Sequence, residues 1–443
     1  MLALRGKMVL TFKPYIDIVQ KTEPFHICGK VKNITGLTIE VSGPEMRIGD
    51  LCYISSRDRK NLIPVEVVGF RNDHYLVMPL DEVQGLGPDY ILIPTFQSRK
   101  VPVGDAFLGR VIDALGNPID GKPFPKVNEK RSLYTNPPSA VFRPRITEPL
   151  ATGIKSIDGC ATCGKGQRVA ILSGSGVGKS KLIGMIARNT SADINVIALV
   201  GERGKEVREF IDLDLGEEGI KRSVVVVATS HESALRRISA GFVATTIAEY
   251  FRDQGADVLL MMDSITRFAM AQREVGLSIG EPPTTKGYTP SVFSLLPRIL
   301  ERVGTSEKGT ITGFYTVLVE ADDLNDPIGD AVRSITDGHI SLSRNLASRG
   351  HYPAVDVLES ISRSMIEVTS PEHRLLSNKI RNILATYRDA EDLVNIGAYV
   401  TGSNKEIDEA LRLMPKIRKF LTQDLYEKVH WDQILPLMKE ALS

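Results

Sequence analysis

Val169-Ala-Ile-Leu-Ser173-Gly-Ser-Gly-Val-Gly178-Lys179-Ser180-Lys-Leu-Ile-Gly-Met-Ile-Ala187 is the stretch from which the rest of the chain is read. An apolar run, Val169 to Leu172, enters a loop of alternating glycines and leaves it as a helical segment, the strand-loop-helix order of a phosphate-binding loop. Glycines let successive backbone N–H groups turn toward one point, and the helix N-terminus adds partial positive charge there. Gly174, Ser175, Gly176, Val177, Gly178, Lys179, Ser180 and Lys181 are the expected nucleotide cradle. Lys179 would reach the β and γ phosphates of ATP, and the Ser180 hydroxyl would ligate Mg²⁺. The strict pattern has glycine where this chain has Ser173, and that is a departure.

On either side of the loop the pattern repeats. Short apolar runs at 194–200, 224–228, 258–262, 311–319 and 339–342 alternate with helical segments, which predicts a predominantly parallel sheet covered on both faces. The segment Glu232 to Arg252 places Leu235, Ile238, Phe242, Ile247 and Phe251 on one helical face, a stripe suited to packing on that sheet. Asp257-Val-Leu-Leu-Met-Met-Asp263-Ser is an apolar strand ending in a carboxylate. An acid there lies beside the phosphate loop and can hold the magnesium ion through water, although Asp-Ser-Ile-Thr could also cap the next helix. A further strand ends in Gly201-Glu202-Arg203-Gly204. A carboxylate at that edge could orient and polarise an attacking water, and spacing alone does not rank Glu202 against Glu206 and Glu209.

Outside this core the periodicity changes. From His26 to Ile93 short alternating runs are broken by glycine and proline, which predicts a small antiparallel β domain closed as a barrel. Val101 to Pro149, with Gly116-Asn-Pro and Thr135-Asn-Pro-Pro, reads as a connector rather than core. Pro371 to Ser443 reads as several helices. The expected organisation is an α/β fold: an N-terminal segment (1–24), a β-barrel (25–95), a RecA-like P-loop core (96–365) and a C-terminal helical domain (366–443). Phe12 and Tyr15 make the first twenty residues a candidate partner-docking segment.

The 443 residues carry 55 basic and 54 acidic side chains, so no overall field exists to hold nucleic acid or an anionic membrane. A hexameric helicase also joins a small β domain to a P-loop core, but residues 26–93 have scattered basic residues and no aromatic cluster, so no nucleic-acid partner is expected. Met1 to Leu10 lacks the apolar core of a signal peptide, and no run approaches the ~18 apolar residues of a membrane span, which points to a cytoplasmic protein. Cys28 and Cys52, in apolar strand-like stretches, read as buried thiols. Cys160-Ala-Thr-Cys163 matches C-x-x-C, yet no second ligand pair follows it, so it reads as incidental.

Taken together, the P-loop, Gly201-Glu-Arg-Gly-Lys-Glu-Val, Met261-Met-Asp-Ser-Ile-Thr-Arg-Phe-Ala and Gly280-Glu-Pro-Pro-Thr-Thr-Lys-Gly-Tyr-Thr-Pro-Ser-Val-Phe resemble the rotary-type ATPases, and among them most closely the type III protein-export ATPases. The likeness runs from near residue 26 to the helical C-terminus. It implies that Glu202 is the general base, that Lys179 and Ser180 bind phosphate and Mg²⁺, and that Asp263 is the Walker-B acid of the magnesium site. Arg203 joins the nucleotide-binding residues. Ser362-Arg363 matches the family's arginine-finger pair, so Arg363 would enter the neighbouring subunit's site. Tyr352, which without the resemblance would read as core, would stack on adenine. Phe420-Leu-Thr-Gln423 continues as Asp424-Leu425, without the synthase's second adenine-binding aromatic. Asn395-Ile-Gly-Ala-Tyr-Val-Thr-Gly-Ser-Asn-Lys-Glu-Ile-Asp resembles the flagellar branch more than the injectisome branch, whereas the segment 314–327 is common to both. The implied setting is a homohexamer at the cytoplasmic face of the inner membrane. Its implied partners are a stator-like regulator, a coiled-coil stalk protein, a membrane export gate, export chaperones and unfolded cargo. A non-catalytic nucleotide-binding subunit is the competing reading, and such subunits lack the base that Glu202 supplies.

Overall fold

Alternating apolar side chains in the N-terminal third line one face of each strand and must be buried together, which a closed sheet achieves without leaving edges. A computed structural model of the chain describes residues 12–21, 27–56, 61–81, 85–87, 89–319 and 326–443. Met1 to Leu10, His26 and residues 320–325 of the segment common to both export branches lie outside the described residues. Contacts divide the chain into two compact units, one of residues 1–78 and 83–97 and the other of residues 79–82 and 98–443.

In the first unit a helix, α1 (Lys13–Lys21), precedes β1 (Gly29–Thr35), β2 (Thr38–Ser42), β3 (Asp50–Ser55), β4 (Ile63–Arg71), β5 (His74–Pro79) and β6 (Ile91–Ser98). These strands close in the order β1-β2-β5-β4-β3-β6 around Val31, Ile39, Val41, Cys52, Ile54, Val65 and Leu92. Cys52 is a buried thiol as expected. Cys28 is not: it precedes β1 and is only half-buried, because the strand begins one residue later, at Gly29. Phe12 and Tyr15 are exposed.

The second unit opens with β7 (Lys100–Val103), β8 (Arg110–Asp113) and β9 (Glu129–Ser132), then β10 (Pro149–Leu150), α2 (Lys155–Cys160) and β11 (Cys163–Gly164). The core follows as β12 (Arg168–Ser173), α3 (Lys179–Asn189), β13 (Ile194–Glu202), α4 (Gly204–Glu209), α5 (Gly216–Lys221), β14 (Ser223–Thr229), α6 (Ala234–Asp253), β15 (Asp257–Asp263) and α7 (Ile265–Ile279). It continues as α8 (Pro290–Leu300), β16 (Gly304–Thr305), β17 (Thr310–Leu318), α9 (Pro327–Ile335), β18 (Gly338–Leu342), α10 (Arg344–Ser348) and β19 (Val355–Ser362). Four helices end the chain: α11 (Met365–Val368), α12 (Pro371–Asn395), α13 (Lys405–Leu421) and α14 (Trp431–Ala441).

Among the described residues the core sheet runs β19-β18-β12-β17-β15-β13-β14-β8, with β16 on β17. It is parallel except for β19 on β18 and β16 on β17, so the expected α/β fold with a predominantly parallel sheet is the observed one. Ile171, Ile197, Leu199, Val225, Leu259 and Phe314 of its strands are buried with Leu182, Ile183 and Ile186 of α3. The C-terminal helices enclose a second core of Ile380, Leu413, Ile417, Phe420 and Met438, which includes Val357 of β19 and Cys160 of α2.

Two expectations from sequence are corrected here. The stretch 101–149 is more than a connector: Val101, Val103, Phe107, Ile112 and Leu133 are buried, and β8 extends the core sheet in parallel with β14. The same stretch lies over α6, so that helix is buried on nearly all sides and not on a single stripe. Tyr134 stacks edge-on against Phe242, and Arg302 holds the carbonyl of Leu133 (2.7 Å) together with Glu249 of α6 (2.6 Å). Cys160 and Cys163 are free and fully buried, and burial pushes the Cys160 thiol up to about 11, which disfavours the reactive thiolate. Among the described residues no helix is long and apolar enough to cross a membrane.

Candidate active site

Parallel strands deliver Ser173, Glu202 and Asp263 to one edge of the sheet, their C-terminal edge, where α/β proteins bind ligands. At Ser173 the backbone is still strand, so a Cβ is tolerated and the departure from the glycine pattern costs no conformational strain. The left-handed turn is made at Gly176 (φ 79°) and Gly178 (φ 90°), and there only glycine is free of strain. Gly178 hands the chain to α3, whose N-terminus has no side-chain cap and no acid in its first turn. Its first N–H groups therefore face a cleft without a competing acceptor, the arrangement that attracts phosphate.

That cleft, of about 820 Å³, is lined by the P-loop, Glu202, Arg203, Glu206, Arg267, Arg273, Lys286, Tyr288, Asp326 and Arg344 among others. Basic side chains outnumber acidic ones, which suits a polyanion. At its floor the Lys179 ammonium pairs with Asp263 Oδ1 and lies 3.6 Å from Glu202 Oε1. Burial is the main cause that pushes the Glu202 carboxyl up to about 7; the charge of Asp263 adds to it and that of Lys179 opposes it. Glu206 hydrogen-bonds to Glu202 and is held below the usual carboxylate range by that bond. Glu209 instead pairs with Lys205 (3.5 Å) on the exposed face of α4. Of the three acids that spacing left unranked, Glu202 is the one against the phosphate-loop lysine.

The helix after Asp263 is capped by Ser264, whose Oγ accepts from the Arg267 N–H (3.2 Å), so the carboxylate of Asp263 is not used as a cap. Ser180 Oγ and Asp263 offer oxygen donors only. Among the described residues no group of three or more His, Cys, Asp or Glu could hold a metal by itself. These residues fit an ion that takes most of its ligands from phosphate and water, as Mg²⁺ does.

Four expected residues lie at the margins. Tyr352 is 46% exposed, contrary to the core reading that its residue type alone suggested, because it sits in the loop before β19 with its ring over Gly178. A Cβ built at Gly178 would meet that ring at 3.5 Å. Gln423 fixes the Tyr352 loop: its N–H donates to the Tyr352 carbonyl (2.9 Å) and its side-chain amide donates to the Gly153 carbonyl (2.8 Å). Arg203 is exposed and paired with Glu206 (3.5 Å), and Lys181 pairs with Asp214 (2.6 Å). Arg363 is exposed at the end of β19 and does not line the cleft of its own chain. A smaller cavity of about 260 Å³, among Leu346, His351, Val357, Leu384 and Met414, contains none of the expected site residues.

Sequence reading missed Arg267, which lines the cleft, and Thr316, whose hydroxyl donates to Asp263 Oδ1 (2.7 Å). An arginine in a helix and a threonine in a buried strand carry no motif of their own. The available signal was position: Arg267 lies four residues after Asp263, and Thr316 lies on the strand between those of the P-loop and Asp263.

Residues 153–362 match the ATP synthase alpha/beta family, nucleotide-binding domain, and residues 369–440 match the T3SS EscN ATPase C-terminal domain. A flagellum-specific ATP synthase of Bacillus subtilis is 55% identical over 92% of this chain and 93% of its own. A type 3 secretion system ATPase of Xanthomonas euvesicatoria is 47% identical over 93% of each. The assembled ATPase EscN of the enteropathogenic E. coli type III secretion system superposes with a TM-score of 0.89 at 44% identity, covering 94% of this chain and all of that one. A second structure, EscN in complex with its central stalk EscO, gives 0.86 at 43% identity with the same coverage.

Proposed function

The chain belongs to the ATP synthase alpha/beta family, and from that premise we propose that it hydrolyses MgATP to energise type III protein export, in a flagellar apparatus. The observation that carries this is the convergence of Lys179, Glu202 and Asp263 on one buried point at the floor of a basic cleft, beside an uncapped helix N-terminus.

The steps follow from those positions. Gly174 to Ser180 cradle the phosphates with backbone N–H groups, and the Lys179 ammonium leaves Asp263 for phosphate oxygens. Ser180 and Asp263 would hold the metal, which would neutralise charge on the phosphate oxygens. Glu202, in its ionised form, takes a proton from the water that attacks the γ-phosphorus, and the bond from that phosphorus to ADP breaks. Arg363, assigned as the arginine finger by the family likeness, acts on a neighbouring copy, where a guanidinium facing the transferring phosphoryl is worth ~10³ to 10⁵ in rate; its exposure and its absence from the lining of its own cleft are compatible with that role. Tyr352 offers a face for adenine, and Arg203 and Lys181 complete the cationic rim.

The functional unit is a homohexamer at the cytoplasmic face of the inner membrane. Relatives of both export branches align over almost the whole chain, and the identity to the Bacillus subtilis flagellar protein together with the segment 395–408 supports the flagellar branch. A coiled-coil stalk partner is proposed by analogy with the EscN–EscO complex. The stator-like regulator, export gate, chaperones and unfolded cargo follow from the same branch, and no nucleic acid is involved.

Glu202→Gln tests the catalytic reading. The variant should bind MgATP as the parent does and lose ~10² to 10⁴ of its hydrolysis rate; an unchanged rate would refute the role. Deletion of the gene should abolish flagellar filaments, and normal motility would refute the flagellar assignment.

A further inference from the structure

We infer that Thr316 is a positioning residue for the magnesium site: it holds the carboxylate of Asp263 when Lys179 moves to the phosphates. The inference rests on the reading of Asp263 given above. β17 lies between the P-loop strand β12 and β15, and Phe314, Tyr315 and Val317 around Thr316 are buried apolar or aromatic residues. Thr316 is itself 1% exposed. Valine has the same shape and suits a buried strand at least as well, so the hydroxyl needs a reason. Its oxygen lies 2.7 Å from Asp263 Oδ1 and 3.3 Å from the Met262 carbonyl, and the shorter contact identifies the acceptor.

Asp263 Oδ1 also accepts from Lys179, while Oδ2 has no hydrogen bond from the protein among the described residues. The same lysine is the one that must reach the phosphates. Once it leaves, Thr316 is the remaining protein donor on Oδ1, and a buried carboxylate oxygen without a donor is costly. The Thr316 bond keeps Oδ1 satisfied, fixes the rotation of the carboxylate and leaves Oδ2 available to the metal's water. Groups that orient a metal-holding side chain in this way are worth about 10- to 100-fold in metal affinity.

The test compares Thr316→Val, Thr316→Ser and Asp263→Asn in the full chain, with a fluorescent ATP analogue titrated at a series of Mg²⁺ concentrations and in excess EDTA. Thermal melting checks that each variant is folded. Thr316→Val should need about tenfold more Mg²⁺ for half-maximal binding and bind as the parent does in EDTA, and Thr316→Ser should restore the parent's Mg²⁺ dependence. If Thr316→Val misfolds, Thr316→Ala replaces it with the same expectation. An unchanged Mg²⁺ dependence in the hydroxyl-free variant, with Asp263→Asn shifted, overturns the inference and leaves the site reading standing. No shift in either overturns both.

Discussion

Glu202 sits where burial and the neighbouring Asp263 both resist its ionisation, which pushes its carboxyl up to about 7. A base must be ionised to accept a proton, so kcat/KM for MgATP should fall about tenfold per pH unit below 7 and level off above it. A profile flat from pH 5.5 to 8.5 would contradict this. The stability consequence has the opposite sense. The folded value lies above the ordinary 4.5, so the contribution of Glu202 to stability is present below that value and is lost as pH rises through 7. Glu202→Gln should therefore melt higher than the parent at pH 8, by on the order of 1–3 kcal/mol, and an equal or lower midpoint would refute it. The sequence made Lys179 legible because it opens the helix after the glycine loop, and Asp263 because it ends an apolar strand, whereas Glu202 ends a strand beside two other acids and was singled out only by the family resemblance. Thr316 and Arg267 were illegible because what they meet lies on other strands and helices.

At the scale of elements, the stretch after the barrel separates what punctuation residues reveal from what they hide. Prolines and glycines such as Gly116-Asn-Pro mark its turns correctly, yet the segment between them supplies β8 to the core sheet and lies over α6. Turn residues locate breaks in the chain and give no information about burial, which here comes from contacts more than a hundred residues apart. The main fastening is Arg302, 1% exposed, which holds Glu249 in two hydrogen bonds (2.8 and 2.6 Å) and reaches Thr246 and the Leu133 carbonyl. Removing one partner leaves the other charge buried without compensation, a cost of about 3–5 kcal/mol. Arg302→Met should lower the thermal midpoint by several degrees, and Arg302→Met with Glu249→Leu should recover part of the loss. A midpoint unchanged by Arg302→Met would show the pair to be dispensable.

For the whole molecule, barrel, core sheet and C-terminal helices were readable from the change in hydrophobic period from two to mixed to helical. The assembly was not, because a surface arginine has no period and Arg363 stands out only by resemblance. That arginine is exposed and does not line the cleft of its own chain, as the proposed site shared between subunits requires. Mixing separates this from a site complete within one chain. Arg363→Ala and Lys179→Ala subunits, each inactive alone, are combined at varied ratios and assayed for MgATP hydrolysis under conditions in which rings form. Recovery of activity with a maximum at intermediate ratio is the expected result, since some interfaces then pair an intact finger with an intact phosphate loop; no recovery at any ratio would contradict a site shared between subunits.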